Sequence, residues 1–192
     1  MNVKLLKTEV SKGQRMSIDN ARELYNGAKL LYDNKKYSLA ISLIVMAHEE
    51  IGKVFLIGGL NDDNENKRKI IWQEFYNHEG KLEQIISNII SLAAMYENNI
   101  SAKGISEIKI YFSKTFDKFY SDAINIAKKM NQYKKMGFYV DYTNGQFTSP
   151  SLSKNTKSIK KLLDGAIKHF DTVLSIGEVL KYIHDIEDIK DS

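Results

Sequence analysis

One apolar run, residues 37–57, constrains the fold more than any other feature of the sequence. It has the length of a helix, and its apolar side chains fall on nearly every side: Leu39, Ile41, Leu43, Ile44, Val45, Ile51, Val54, Phe55, Leu56 and Ile57. A helix that is apolar all round is enclosed by other elements, so this run predicts a central helix. It nevertheless carries His48, Glu49, Glu50 and Lys53. Because buried charge is unfavourable unless it is paired, we expect partners on neighbouring helices.

The rest of the chain also has helical periodicity, which predicts an all-α fold. We expect a single domain over residues 1–192, an antiparallel bundle of about five helices joined by short loops. The helices are predicted at 18–32 with Ser17 as cap, 37–57, 67–96, 105–132 and 156–186. Gly80 weakens the third helix and is a candidate for a bend. Two terminal segments lie outside the helices: residues 1–15 as a loose arm and residues 187–192 as a frayed tail.

Residues 136–148 have a different pattern, with alternating, β-prone residues around Asn144-Gly145. This dipeptide favours a tight hairpin turn, so we expect a short β-hairpin or an ordered loop. An isolated two-stranded hairpin is marginal in water. We therefore expect this segment to pack against the bundle.

Composition excludes several classes of function. The chain has 192 residues, a net charge of +4 and no cysteine, so it has neither a disulfide framework nor a thiolate metal site. It contains no P-loop, nucleophile-elbow or dinucleotide motif, and His48 to Gly52 lacks the second histidine of a zinc motif. We predict no metal and no cofactor. No stretch resembles a signal peptide or a membrane span, so we expect a cytoplasmic protein without a membrane partner.

Histidine, lysine and carboxylates are expected to meet between the second and third helices. His78 and Lys81 lie one turn apart on the third helix, and the second helix supplies Glu49, Glu50 and Lys53. A histidine near a lysine and a glutamate can exchange protons near neutral pH, which makes this set a candidate catalytic site. The alternative is structural: a Glu49–Lys53 ion pair within the helix and one partly buried glutamate bonded to a neighbouring helix.

A second candidate surface mixes basic and aromatic residues. Lys134, Lys135 and Tyr139 could bind RNA, with lysine on phosphate and the aromatic ring on a base. The modest positive net charge is compatible with this function. The alternative is that Phe138 and Val140 cover the core while the lysines are solvated.

Three segments together resemble the HEPN superfamily, and within it the AbiV branch of abortive-infection proteins. They are residues 31–40 running into 47–53, then Phe75 to Lys81, then Lys134 to Asp141. The resemblance implies a helical bundle, usually a homodimer, that stops growth or translation when a phage-encoded protein activates it. By position it carries over Glu49, Glu50 and Lys53, then His78 and Lys81, then Lys135, Gly137 and Tyr139.

Many HEPN toxins are metal-independent endoribonucleases with an arginine four to six residues before a histidine. No histidine of this chain has that arginine. Whether the chain is an enzyme therefore stays open between two hypotheses. In the first, His78 transfers protons, Lys81 and Lys53 stabilise charge on phosphate, and Glu49 or Glu50 orients them. In the second, the same residues form a buried network in a non-catalytic dimer that binds a phage protein or the translation machinery, such as the ribosome.

Overall fold

The computed structural model describes residues 3–83, 124–125, 127–143, 145–149, 159–161, 163–167 and 174. Its elements are α1 (Lys7–Asp33), α2 (Tyr37–Gly58), a 3₁₀ turn (Gly59–Asn61), α3 (Glu65–Tyr76), α4 (78–83), α5 (127–138), β1 (Asp141–Thr143), β2 (Gln146–Thr148) and α6 (159–161 and 163–167). The predicted all-α bundle with a short hairpin is confirmed. None of the helices in these residues is long and apolar enough to cross a membrane.

Helices α1 and α2 form an antiparallel pair around which the core is built. Gly13 faces Ile57 at one end and Gly27 faces Leu43 nearer the other. The buried core combines side chains of α1, α2 and α6: Ile18, Ala21, Tyr25, Ala28, Ala40, Ile41, Ile44, Ala47, Ile51, Val54, Ile159 and Leu163. Helix α2 is buried on several sides, which confirms that the apolar run is the central helix.

The prediction of a loose arm over residues 1–15 is wrong, because α1 already begins at Lys7. Val10 and Gln14 are buried, and the Gln14 amide donates a 3.0 Å hydrogen bond to the Val54 carbonyl. The residues before the helix are also held, since the Leu5 amide donates to the Leu60 carbonyl at 3.1 Å. Ser17, the expected cap, lies buried inside α1.

The third predicted helix, 67–96, is interrupted in the structure. Helix α3 starts earlier, at Glu65, where the Asn64 side chain caps it, and ends at Tyr76. Asn77 is extended, and its side-chain oxygen accepts a 3.1 Å hydrogen bond from the Glu79 amide, so it caps α4. The bend therefore lies at Asn77 rather than at Gly80. Residues 84–96 lie outside the described residues.

The hairpin at Asn144-Gly145 is confirmed, but its side chains are not packed as expected. Strand β1 pairs with β2 in antiparallel register, and Gly145 has a φ of 79°. The Tyr142 and Phe147 rings meet across the strands at 4.9 Å between centroids. They are 60% and 77% exposed, so the expectation that this segment packs against the bundle is wrong for these two rings. Helix α5 extends to residue 138, beyond the predicted end at 132.

Several expectations lie wholly or partly outside the described residues. Most of the predicted helix 105–132 and the later part of helix 156–186 belong to this group, as does the tail 187–192.

Lys35 supplies a test of the turn between α1 and α2. The Lys36 amide bonds the Leu31 carbonyl and the Lys35 amide bonds that of Tyr32, a Schellman ending that places Lys35 at a φ of 60°. Glycine adopts this conformation without steric cost, so Lys35→Gly should raise the free energy of unfolding by roughly 0.5–1 kcal/mol in urea titrations. Lys36, at a φ of −88°, is the control. Equal effects of Lys35→Gly and Lys36→Gly would contradict this turn geometry.

Candidate functional site

One buried carboxylate, that of Glu49, joins three helices. Glu49 lies on α2 and is 5% exposed. Its Oε2 lies 2.8 Å from His78 Nδ1 on α4, and its Oε1 accepts a 2.5 Å hydrogen bond from Lys134 Nζ on α5. The imidazole expected to face the carboxylates of the second helix does so. Both oxygens of this buried anion thus have partners, as its burial requires.

Two glycines allow α4 and α5 to approach α2 closely. Gly52 lies on α2 and contacts α4, whereas Gly137 lies on α5 and contacts α2 before Glu49. A Cβ atom on Gly52 would lie 2.2 Å from the Lys81 carbonyl oxygen, and one on Gly137 would lie 1.8 Å from Ser42 Oγ. Ser42 Oγ also donates a 2.8 Å hydrogen bond to the Lys134 carbonyl. Only glycine, which has no Cβ, fits at these contacts. Gly52 and Gly137 therefore determine how closely the helices that carry His78 and Lys134 approach Glu49.

The Glu49–His78 pair is arranged so that the imidazole is both oriented and accessible. The carboxylate holds Nδ1, so a neutral ring carries its proton there and leaves a lone pair on Nε2. The His78 side chain is 60% exposed, and Nε2 has no hydrogen bond with any described residue. A carboxylate that fixes one ring nitrogen of a largely exposed imidazole is the arrangement of a histidine general base.

Glu50 and Lys53 form a separate ion pair within α2. Lys53 Nζ donates to Glu50 Oε1 at 2.6 Å, so the expected Glu49–Lys53 pair is wrong. Glu49 instead bonds partners on α4 and α5, so Lys53 pairs with Glu50. Lys53 Nζ also lies 5.7 Å from the centre of the Phe75 ring, a cation–π contact with α3.

Lys81 is a buried cation whose ammonium group forms no hydrogen bond with the residues described, although its backbone amide donates to the Asn77 carbonyl. It is 5% exposed, and burial lowers the pKa of its ammonium group, while the charge of Glu49 opposes that shift. Lys81 therefore gives up its proton more readily than an exposed lysine does. Lys53 and Lys134 also act electrostatically on this ammonium group, as do the carboxylates of Glu49 and Glu50.

The structure separates the three residues expected to bind RNA. Lys134 is buried with its ammonium on Glu49, whereas Lys135 and Tyr139 are exposed. Phe138 and Val140 are exposed as well, so the alternative in which they cover the core is wrong.

The partnership of Lys134 with Glu49 was missed by sequence reasoning. The sequence contains a signal for this pair, because Asn131, Lys134 and Gly137 recur at intervals of three, a spacing that places them on one helix face. In the structure all three are buried on that face of α5. Asn131 contacts α4 from this face, donating a 3.1 Å hydrogen bond to Glu79.

His48 does not belong to the same cluster of contacts. Its Nδ1 donates to the Ile44 carbonyl at 2.8 Å within α2, and burial lowers its pKa, so the neutral ring is favoured. In the described part of the chain, no group of three or more His, Cys, Asp or Glu side chains is arranged to hold a metal ion.

The close contact at Gly52 predicts opposite outcomes for two alanine substitutions. Gly52→Ala inserts a Cβ against the Lys81 backbone and should lower the free energy of unfolding by about 1–3 kcal/mol. Gly13→Ala is the matched control, because its Cβ would lie 3.4 Å from Ile57 Cγ2, near ordinary contact distance, and alanine favours the helix. Urea denaturation measures both. A Gly52→Ala variant as stable as Gly13→Ala would contradict the packing of α4 on α2.

The lowered pKa of Lys81 predicts how stability depends on pH. Lys81 has a lower pKa in the folded chain than in the unfolded chain, so at a pH between these two values the unfolded chain binds more protons. Lys81 therefore makes the free energy of unfolding rise as the pH approaches the ordinary lysine pKa of about 10.4. Lys81→Met should be more stable than the wild type at pH 7, and that difference should shrink toward pH 10. Lys135→Met, at an exposed position, is the control. A constant difference across this range for Lys81→Met would contradict the burial of its charge.

Comparison with known protein families shows which family the chain matches. The HEPN family model described as AbiV matches residues 9–168, well over half of the chain, including nearly all of α1, the whole of α2 to α5 and the hairpin. No curated protein and no solved structure matches the chain.

Proposed function

The chain belongs to the AbiV family of HEPN proteins, whose role is abortive infection in defence against phage, and we propose that it acts there as a metal-independent endoribonuclease. One observation carries this proposal: the buried Glu49 carboxylate lies 2.8 Å from Nδ1 of an imidazole that is 60% exposed. A purely structural histidine has no need of an accessible Nε2. RNA supplies its own nucleophile, the ribose 2′-hydroxyl, so a single positioned base is sufficient to start cleavage.

In the proposed reaction, His78 Nε2 accepts the proton of the ribose 2′-hydroxyl. The 2′-oxygen then bonds to the adjacent phosphorus, and the bond from phosphorus to the 5′-oxygen of the next nucleotide breaks. That oxygen takes a proton from water, and the proton held on His78 Nε2 returns to solvent, so the products are a 2′,3′-cyclic phosphate and a 5′-hydroxyl. A general base of this kind contributes about 10²–10⁴-fold to the rate. Glu49 acts as a positioning residue, since its carboxylate holds the ring through Nδ1.

Positive charge near His78 would stabilise the phosphate as its negative charge develops. Lys53 and Lys81 are the proposed sources, because no arginine stands four to six residues before His78. Lys53 is the more accessible of the two, and Glu50 holds its ammonium in place. The further elements of the proposal rest on family resemblance: a homodimer in the cytoplasm, a phage-encoded activator, and RNA or the ribosome as target.

The direct test is to sequence RNA ends in phage-infected cells that express the wild type or His78→Ala. The wild type should create new 5′-hydroxyl ends during infection, and His78→Ala should reduce them by 100-fold or more. Gln73→Ala, at an exposed position on α3, is the control and should cleave normally. New ends that persist undiminished in His78→Ala would exclude His78 as the base.

A second candidate function is a non-catalytic interaction protein. The observation favouring it is that Glu49 and Lys134 form a buried ion pair, which could fix the bundle or a dimer instead of serving chemistry. Growth arrest with intact RNA in the wild type would favour this candidate. It also requires His78→Ala to dissociate the dimer, whereas the enzyme hypothesis expects the variant to stay dimeric and to lose only RNA cleavage. A lower melting temperature fits both, because Glu49 Oε2 loses its partner in either case.

A further inference from the structure

Three aromatic rings cluster at the end of α3, immediately before His78. The Trp72 and Tyr76 rings are nearly parallel, with 6.4 Å between centroids and 20° between planes, and Phe75 meets both rings edge-on. Tyr76 is 68% exposed. The two neighbouring rings hold the exposed Tyr76 ring in place, so it forms a preorganised flat apolar surface. Preorganisation reduces the entropy lost when a ligand stacks on the ring.

This aromatic cluster adjoins the Glu49–His78 site through two connections. Along the chain, only Asn77 separates Tyr76 from His78. Through space, Lys53 lies over the Phe75 ring while its ammonium is bound to Glu50, so the cluster contacts the polar turn of α2. Any extended ligand that reaches His78 along α3 therefore passes the Tyr76 ring.

We propose that Tyr76, supported by Trp72, is the stacking subsite for a base of single-stranded RNA next to the bond that His78 cleaves. This inference rests on the proposed ribonuclease function and names its substrate as unpaired RNA. Stacking of a base on an aromatic side chain contributes about 1–3 kcal/mol and requires a base that is free of a duplex. It also explains why a tyrosine stands exposed beside the site.

RNA fits this surface better than a protein partner does. The exposed residues within three positions of Tyr76 are polar, namely Gln73, Asn77 and His78, and the nearest other exposed apolar side chain on α3 is Ile70, so the apolar surface around Tyr76 is small. A stable protein interface buries about 800 Å² on each partner around an apolar centre. A single base needs only the face of one ring.

The sequence offers a direct probe, because Trp72 is the only tryptophan in the chain. Full-length His78→Ala protein, which binds without cleaving, is titrated with a single-stranded ten-nucleotide uridine RNA while tryptophan fluorescence is followed. Quenching is expected, and adding Tyr76→Ala should weaken the affinity about 5–150-fold, which is 1–3 kcal/mol converted at 1.4 kcal/mol per tenfold. Adding Tyr76→Phe keeps the ring and should leave the affinity unchanged.

Two controls separate stacking at Tyr76 from general binding. Phe147→Ala removes an equally exposed ring on the hairpin and should not change the affinity. A duplex of the same length should not quench Trp72. An unchanged affinity in Tyr76→Ala would overturn the subsite, as would equal losses in Tyr76→Ala and Phe147→Ala.

The failure of this inference can be told from the failure of the proposed function. If cleavage depends on His78 but RNA does not quench Trp72, the subsite is wrong and the ribonuclease stands. If RNA quenches Trp72 in a Tyr76-dependent way and no RNA is cut during infection, the chain binds RNA without cleaving it. If Tyr76→Ala abolishes growth arrest while RNA leaves Trp72 unchanged, a protein occupies this surface and the inference is overturned.

Discussion

The two hydrogen bonds of the Glu49 carboxylate are the interactions on which the rest of the site depends. One oxygen faces His78 and the other faces Lys134, so a single buried anion ties α4 and α5 to the central helix. Removing one partner from a buried ion pair typically costs about 3–5 kcal/mol, since the remaining charge stays buried without compensation. The pairing that makes this anion tolerable in the core also fixes the direction of an imidazole at the surface.

The three segments that carry the family resemblance meet at this point in space. Residues 47–53 supply Glu49 and Gly52, residues 75–81 supply His78, and residues 134–141 begin with Lys134 and include Gly137. The glycines belong to the same arrangement as the charges, because α4 and α5 cannot come within reach of Glu49 unless Cβ is absent at both contacts. The three segments from which the sequence predicts the family therefore form one helix junction rather than three separate motifs.

The sequence predicts α2 and the hairpin well because their signals are local: an apolar run ended by glycines, and Asn144-Gly145 between β-prone residues. It does not predict which partner a charge selects. Lys134 lies beyond the expected helix end at 132, and only once α5 continues to 138 does it share a buried face with Asn131. The sequence also does not predict that α1 starts at Lys7, because the residue before it, Leu6, has no side chain that can cap a helix.

The most direct test of the account is the protonation state of the two His78 ring nitrogens, read from imidazole ¹⁵N chemical shifts at a pH where free imidazole is neutral. The account predicts a proton on Nδ1 and a bare Nε2, because the Glu49 carboxylate accepts from Nδ1. A His78 ring that carries its proton mainly on Nε2 would contradict the Glu49–His78 pair, and with it the proposed base.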